Sequence, residues 1–259
     1  FIVMAMAKMF SDASSIWSSG AKRVSAASEG RAIMDFMVVE LTQAIADERV
    51  TFKLNSTKNL YGVSAYGAQS DELIFAAIVQ PGRADNRRNA DQFAYFIAPM
   101  LNEKEQILPN RYRLARTRRT ASMYSNASNL KESAYQDPNW WETAMEPRDD
   151  YGEEYDVGTD KFGAETVADN VVAFEVWAYS AKTEYSEPDY NSVENDNLLP
   201  LWLDVYLELL GDEEAERAAL LWDANPGEAR DYIARNVKRY TTRVYFPNRE
   251  RANAFPPQS

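Results

Sequence analysis

The chain has 259 residues and a formal net charge of −12, with 45% hydrophobic and 26% charged residues, a composition that excludes wholesale disorder. Cysteine and histidine are both absent, which excludes disulfides, thiolate nucleophiles, Ser-His-Asp triads and HExxH zinc sites. The negative charge repels nucleic acid, so we expect no nucleic-acid partner.

The first ten residues read FIVMAMAKMF, an apolar stretch interrupted by Lys8. It is shorter than the roughly 20 apolar residues that span a bilayer. No proline occurs before Pro81, so the sequence predicts one stalk helix over residues 1–47, about 70 Å long, and a globular head over residues 48–259. The residues expected to contact lipid or a helix bundle are Phe1, Ile2, Val3, Met4, Met6, Met9, Phe10, Ile16 and Trp17.

The predicted helix changes character along its length. Residues 11–32 are rich in Ser, Ala and Gly, which let neighbouring helices approach closely. Further on, one apolar stripe is typical of a helix lying on a globular core. Its members are Met34, Met37, Val38, Leu41 and Ile45.

Beyond residue 50 the hydrophobic pattern changes to period two. Residues 71–81, 170–179, 199–210 and 239–247 are predicted strands, and the third alternates most regularly. A helix is predicted over 225–237, with Asn225 as N-cap and Pro226 at its first position. Residues 122–161 show few strand patterns and are interpreted as a long variable loop. The predicted fold is therefore α+β, a long N-terminal helix packed on a mainly antiparallel β-sheet head.

An arginine-rich span could bind phosphate, but in an acidic protein we prefer an exposed strand or loop that pairs with a neighbouring subunit. Its members are Arg111, Arg113, Arg116, Arg118 and Arg119.

An acidic run with two glycines could wrap Ca²⁺, which takes six to eight oxygen ligands. The candidate ligands are Asp149, Asp150, Glu153, Glu154, Asp156 and Asp160. Their spacing does not fit an EF-hand, so we prefer a solvated acidic loop and predict no cofactor.

Two aromatic groups suggest ligand binding. Trp140 and Trp141 could stack on sugar rings, although adjacent residues point in different directions and one of them would belong to the core. Trp202 and Tyr206 lie on the polar side of the third strand and are interpreted as sheet packing. A carboxylate pair is the remaining route to catalysis, but 40 acidic residues make accidental pairs common, so we predict that the chain is not an enzyme.

The long apolar-tipped helix before a β-rich head resembles the type IV pilins and type II secretion pseudopilins. Four sequence segments resemble, in their order and spacing, the Verru_Chthon cassette protein C family. They are residues 30–45, 167–179, 199–218 and 232–251. That family comprises prepilin-type proteins similar to the J-type minor pseudopilins. The resemblance covers most of the chain but not the variable loops between about Arg83 and Phe162.

The resemblance implies a structural, pilin-like filament subunit of the bacterial inner membrane and periplasm or of an extracellular filament. Its implied partners are other pilin-like subunits, the inner membrane and, for the precursor, a prepilin peptidase. In the family a leader is cut before a Phe, and a Glu follows at the fifth position; here that position is Ala5. We therefore expect the first ten residues to be the second half of the membrane segment, without its leader and first part. The alternatives are a pilus-displayed carbohydrate-binding adhesin and a carboxylate-dependent hydrolase.

Overall fold

The computed structural model describes residues 28–46, 50–56, 65–67, 70–79, 89–102, 104, 106–120, 164–180, 186–187, 189–247 and 249. Within these residues the protein is a mixed α+β structure of two antiparallel sheets and a few helices, which confirms the predicted class. Predictions on residues 1–27 and 122–161, including most of the stalk helix and the variable loop, lie outside the described residues.

Three α-helices lie within the described chain. The described part of α1 covers residues 28–41, α2 is Asp212–Ala224 and α3 is Pro226–Asn236. The prediction of α3 is confirmed in detail, because Pro226 occupies its first turn and the Asn225 side chain accepts hydrogen bonds from the N–H groups of Gly227 and Glu228. Helix α2 was not predicted.

The first sheet contains seven of the described strands. In chain order these are β1 (Ala44–Ile45), β2 (Lys53–Asn55), β3 (Glu72–Val79), β4 (Asn89–Leu101), β5 (Ile107–Thr120), β6 (Glu165–Asp169) and, after two strands of the other sheet, β9 (Tyr190–Asn191). Their spatial order is β6-β5-β4-β3-β2-β9, and β1 also pairs with β3. We call this the large sheet.

The second sheet contains four of the described strands, in the order β11-β10-β7-β8. These are β7 (Val171–Tyr179), β8 (Ser186–Glu187), β10 (Trp202–Leu209) and β11 (Lys238–Tyr245), and we call them the small sheet. The strands β3, β7, β10 and β11 confirm the four strands predicted from period-two alternation. On β10 the predicted apolar side is buried, with Leu203, Val205 and Leu207 all inaccessible to solvent.

The two sheets are joined where β6 of the large sheet leads into β7 of the small one. Asn170, between them, takes the left-handed conformation at φ 56°, which turns the chain from one sheet into the other. The start of β3 is also tied to β7, because Val176 N–H donates to the buried Asp71 carboxylate at 2.6 Å and Asp71 N–H donates to the Phe174 carbonyl at 2.9 Å. One core therefore extends across both sheets.

Helix α1 ends at Leu41, so the prediction of a helix as far as residue 47 is wrong at this end. The side chains of Thr42 and Gln43 both donate to the carbonyl of Val39 at 3.0 Å and so satisfy a terminal acceptor of the helix. The chain then enters β1, where Ala44 and Ile45 pair with β3. Ile45 thus belongs to a strand and not to the helical stripe.

Candidate functional site

Helix α1 carries two apolar stripes on different sides. The inner stripe is buried and consists of Ile33, Met34, Met37 and Leu41. The outer stripe consists of Ala32, Phe36 and Val39, at the i, i+4 and i+7 spacing of one helix face. Phe36 remains 43% exposed and Val39 58% exposed. The inner stripe confirms the predicted packing on the core, whereas the outer stripe leaves apolar surface in solvent.

A close approach holds α1 against the small sheet at Gly30. A Cβ atom built on Gly30 would lie 2.2 Å from Cζ of Tyr240 on β11, so no side chain fits beneath that ring. Burial raises the pKa of Tyr240, and the nearby carboxylate of Glu29 raises it further. The glycine is therefore required by packing and not by backbone conformation.

On its other flank α1 is joined to the large sheet by Glu40. The carboxylate of Glu40 accepts hydrogen bonds from the Tyr95 hydroxyl on β4 and from Nη2 of Arg116 on β5, and from Arg116 Nε at 3.0 Å. Arg116 Nη1 also donates to Glu165 of β6 at 2.6 Å. Four elements meet around Arg116, a residue that is 6% exposed.

Aromatic rings enclose this ion pair. The guanidinium of Arg116 lies 4.9 Å from the ring centroid of Phe93 and 5.5 Å from that of Phe36. Burial alone would lower the pKa of Arg116, but the hydrogen bonds and charge of Glu40 outweigh it and the pKa is raised. Burial, and then the charge of Glu40, raise the pKa of Tyr95 far above its ordinary value. Tyr95 is thus a neutral donor at all physiological pH values.

The arginine-rich span lies on β5, and the expectation that it is exposed is wrong for Arg113 and Arg116, which are buried. Arg113 Nη1 donates to Thr166 Oγ1 at 2.9 Å. Arg111 donates through Nε and Nη2 to Asn170 Oδ1 at 3.1 and 2.6 Å. Polar partners on β6 and at the turn before β7 thus hold these two guanidiniums, which charge alone could not predict.

Arg118, further along the span, is closer to the solvent. Arg118 donates through Nε to the buried Asp91 carboxylate at 2.8 Å, and its side chain is 44% exposed. Arg119 lies on β5 opposite Gln92. Contact with a neighbouring subunit thus stays a prediction, for which Arg118 is the most accessible of the arginines whose side chains are described.

The outer face of the small sheet carries a row of rings across three strands. Trp202 of β10 stacks on Tyr179 of β7 at 4.8 Å, and its centroid lies 6.3 Å from that of Tyr245 on β11. The Arg243 guanidinium lies 5.2 Å over the Trp202 ring and donates to Asp204 at 2.6 and 2.7 Å. Hydrogen bonding to Asp204 raises the pKa of Arg243. These rings pack against one another and against Arg243, which favours a role in sheet packing over a surface on which a sugar ring could stack.

An open cleft of about 610 Å³ lies where the turn after α1 meets the end of β11. Its described lining is Thr42, Leu201, Tyr245, Phe246, Pro247 and Arg249. Arg249 Nε donates to the Leu199 carbonyl at 3.0 Å. No carboxylate is among these described lining residues.

The remaining predicted site residues lie outside the described residues. These are the helix residues Phe1 to Trp17, the tryptophans Trp140 and Trp141, and the acidic run from Asp149 to Asp160. In the part of the chain that is described, no group of three or more acidic side chains is arranged to hold a metal ion. Nor does any described helix combine the length and hydropathy needed to cross a membrane.

Sequence reasoning missed Glu40, Tyr95 and Asp204, which carry most of the buried polar contacts described above. One signal was present, because Glu40 interrupts an apolar helix between Val39 and Leu41. A carboxylate there requires a partner if its neighbours are buried. Its partner Arg116 is 76 residues away in sequence, so pairing the two required the fold.

The chain matches no family model, no curated protein and no solved structure. The evidence on function is therefore the geometry of the described residues and the order of the sequence segments quoted above. The described geometry offers a firmly anchored helix with a second, solvent-facing apolar stripe.

Proposed function

We propose that this chain is a structural, pilin-like subunit of a filament related to type II secretion systems or type IV pili. In this proposal the fold is pilin-like, and α1 continues upstream as the assembly helix. The protein acts mechanically, by holding a β-rich head on a helix that packs among the helices of other subunits. It would reside in the inner membrane and periplasm or in an extracellular filament.

The observation that carries the proposal is the double-sided apolar character of α1. A helix that merely covers a core exposes polar residues on its other side. Here Phe36 and Val39 face solvent although Met37, between them in sequence, is completely buried. An exposed apolar stripe on an anchored helix is typical of a surface that another apolar element covers.

Two sequence features extend this surface upstream. Residues 11–27 are rich in Ser and Ala and contain no proline, and residues 1–10 are apolar apart from Lys8. Small residues allow close helix–helix approach, and an apolar tip is stable in lipid or in a helix bundle. Both features are those that the resemblance to the pilin-like family leads us to expect.

Single-cysteine cross-linking tests the proposal, because the chain has no cysteine of its own. Val39→Cys in the full-length gene product, expressed in its own host, should form disulfide adducts with other subunits that carry a matching cysteine on the same helix. Leu220→Cys is the matched control, since Leu220 is 73% exposed and belongs to α2 rather than to α1. Equal cross-linking of the two variants, or none in either, would contradict the assignment.

A charge variant gives an independent readout. Val39→Asp should leave the melting temperature nearly unchanged, because the side chain is exposed, yet remove the protein from the assembled fraction. Leu220→Asp controls for a new surface charge at a similarly exposed apolar site. If Val39→Asp assembles as well as Leu220→Asp, the outer stripe of α1 is not an assembly surface.

A further inference from the structure

The described sheets have five outer strands, and four of them are protected by being short. β1, β8 and β9 have two residues each, and β6 has five with a register shift against β5. β11 has eight residues and pairs with β10 along its whole length without a shift. Short and bulged edges resist pairing with another chain, whereas a long regular edge invites it. Among the described strands, β11 is the long unprotected edge.

Charged side chains often protect such an edge, but two of the three on β11 are neutralised by its neighbour, and the third, Lys238, lies at its first position. Arg239 Nε donates to Glu208 at 2.6 Å, and Arg243 donates to Asp204 through both Nε and Nη2. These contacts hold both guanidiniums against β10. Arg243 is held further by the rings of Trp202 and Tyr179. The charges therefore repel an incoming strand less than their number suggests.

We propose that two copies of this chain pair antiparallel through β11, joining two small sheets of four strands into one of eight. The strand sequence KRYTTRVY favours this, because it is rich in tyrosine, threonine and valine, which have high β-propensity. A two-fold axis perpendicular to the sheet gives such an isologous interface. The pairing does not depend on the proposed filament role.

The side chains select the register. Directly opposed residues in an antiparallel pair lie on the same face of the sheet. A two-fold axis perpendicular to the sheet keeps every side chain on its own face. The axis must therefore pass through a residue that lies opposite its own copy. Axes through Thr241 and Thr242 give the longest overlap. An axis through Thr241 places Arg239 opposite the partner's Arg243, which is unfavourable for like charges.

An axis through Thr242 avoids this conflict. It places Arg239 opposite the partner's Tyr245, a cation–π pair, and Thr241 opposite the partner's Arg243. On the other face it places Tyr240 opposite the partner's Val244, a side chain already completely buried in its own chain, so the preference for this register rests on the first face. The structure thus assigns the axis to Thr242.

The net charge of −12 on each copy opposes association at long range. Added salt screens this repulsion, so dimerisation should strengthen between low and moderate ionic strength. A strand pair buries less surface than a standard interface, so the dimer should exchange rapidly. Cross-linking is therefore the decisive measurement.

Two adjacent positions report the register, because no other cysteine is present. In the full chain, Thr242→Cys should form a disulfide dimer under mild oxidation, since the two Cβ atoms at the axis are directly opposed. Thr241→Cys should remain monomeric, because its copy lies diagonally, beyond disulfide reach. Leu220→Cys measures random collision and any association through the apolar first ten residues.

Preferred cross-linking of Thr241→Cys, or equal yields from all three variants, would overturn the proposal. Thr242→Lys provides a second route that does not depend on oxidation, because it opposes two ammonium groups at the axis. Sedimentation of that variant should show loss of the dimer that the unsubstituted chain forms at moderate salt. A monomeric unsubstituted chain at all salt and protein concentrations would refute the pairing outright.

Discussion

Replacing Glu40 should separate α1 from the large sheet more than any other single polar substitution at their contact. Glu40→Ala removes the acceptor of the Tyr95 hydroxyl and one of the two carboxylates of the buried Arg116. Breaking a buried ion pair costs about 3–5 kcal/mol. Arg116 keeps its bond to Glu165 at 2.6 Å, so we expect the lower end, about 3 kcal/mol.

The matched control is Glu165→Ala, which removes the other carboxylate of the same guanidinium. The Glu165 side chain is 70% exposed, and exposed pairs contribute about 0–1 kcal/mol. Urea unfolding followed by circular dichroism gives the free energies, and hydrogen exchange of residues 28–41 shows whether α1 is released. Equal losses of unfolding free energy in the two variants would refute the interpretation that the buried Glu40–Arg116 pair holds α1 on the large sheet.

A double variant distinguishes the cost of burying an unpaired charge from the contribution of the ion pair itself to the free energy of unfolding. Glu40→Met with Arg116→Met replaces the ion pair by apolar side chains between Phe93 and Phe36. Such replacements are often neutral or stabilising, so part of the loss should be recovered; the remainder, about 1–3 kcal/mol, is the cost of the buried Tyr95 hydroxyl that still lacks an acceptor. A double variant as unstable as Glu40→Ala would show that the site requires charge for another reason.

Two further predictions concern packing and pH. Gly30→Ala should destabilise the protein by about 1–3 kcal/mol, because the new methyl group would collide with the Tyr240 ring. In an open helix the same substitution stabilises by about 1 kcal/mol. Calorimetry should therefore show a lower melting temperature, and a higher one would refute the close approach. Above pH 10 the unfolded chain loses tyrosine protons that the folded chain retains, since burial raises the pKa of Tyr66 to about 12 and that of Tyr95 still further. Stability is therefore fully present below pH 10 and should fall as pH rises toward 12, by about 1.4 kcal/mol per pH unit for each such tyrosine. Tyr66→Phe and Tyr95→Phe should each flatten this slope in urea titrations, and slopes identical to that of the parent chain would contradict the assignment.

Elements with strong local signals could be predicted from the sequence. Strand β10 alternates between the two sides and buries its apolar one, and the side of β7 that carries Val172, Phe174, Val176 and Ala178 is buried as well. Helix α3 combines a capping asparagine with proline in its first turn, two signals that act within a few residues of each other. In both cases the deciding contacts are local, so the sequence contains them.

Helix α2 shows how a weak local signal hides an element. Its buried side consists of Ala215, Ala218 and Ala219, which are too small to make an apolar stripe stand out. The end of α1 is similar, because two polar side chains after Leu41 terminate a helix whose apolar spacing continues to Ile45. In both cases the packing of the folded chain, and not the local sequence pattern, determines where the helix lies and where it ends.

The arginines of β5 could not be placed by residue type. An arginine in a strand predicts exposure, because isolated charges are expensive to bury. Arg116 is buried because Glu40, Tyr95 and Glu165 converge on it from three other elements. Such compensation depends on contacts between residues far apart in sequence, which one sequence does not reveal.

The outer stripe and the buried ion pair of α1 are not independent. Phe36 contributes to the outer stripe and also lies 5.5 Å from the Arg116 guanidinium that holds Glu40. A neighbouring helix that packs on Phe36 would exclude water from that guanidinium and so strengthen its pairing with Glu40. If the proposed subunit contact forms on Phe36, α1 should therefore be held to the head more firmly in the assembly than in the free subunit.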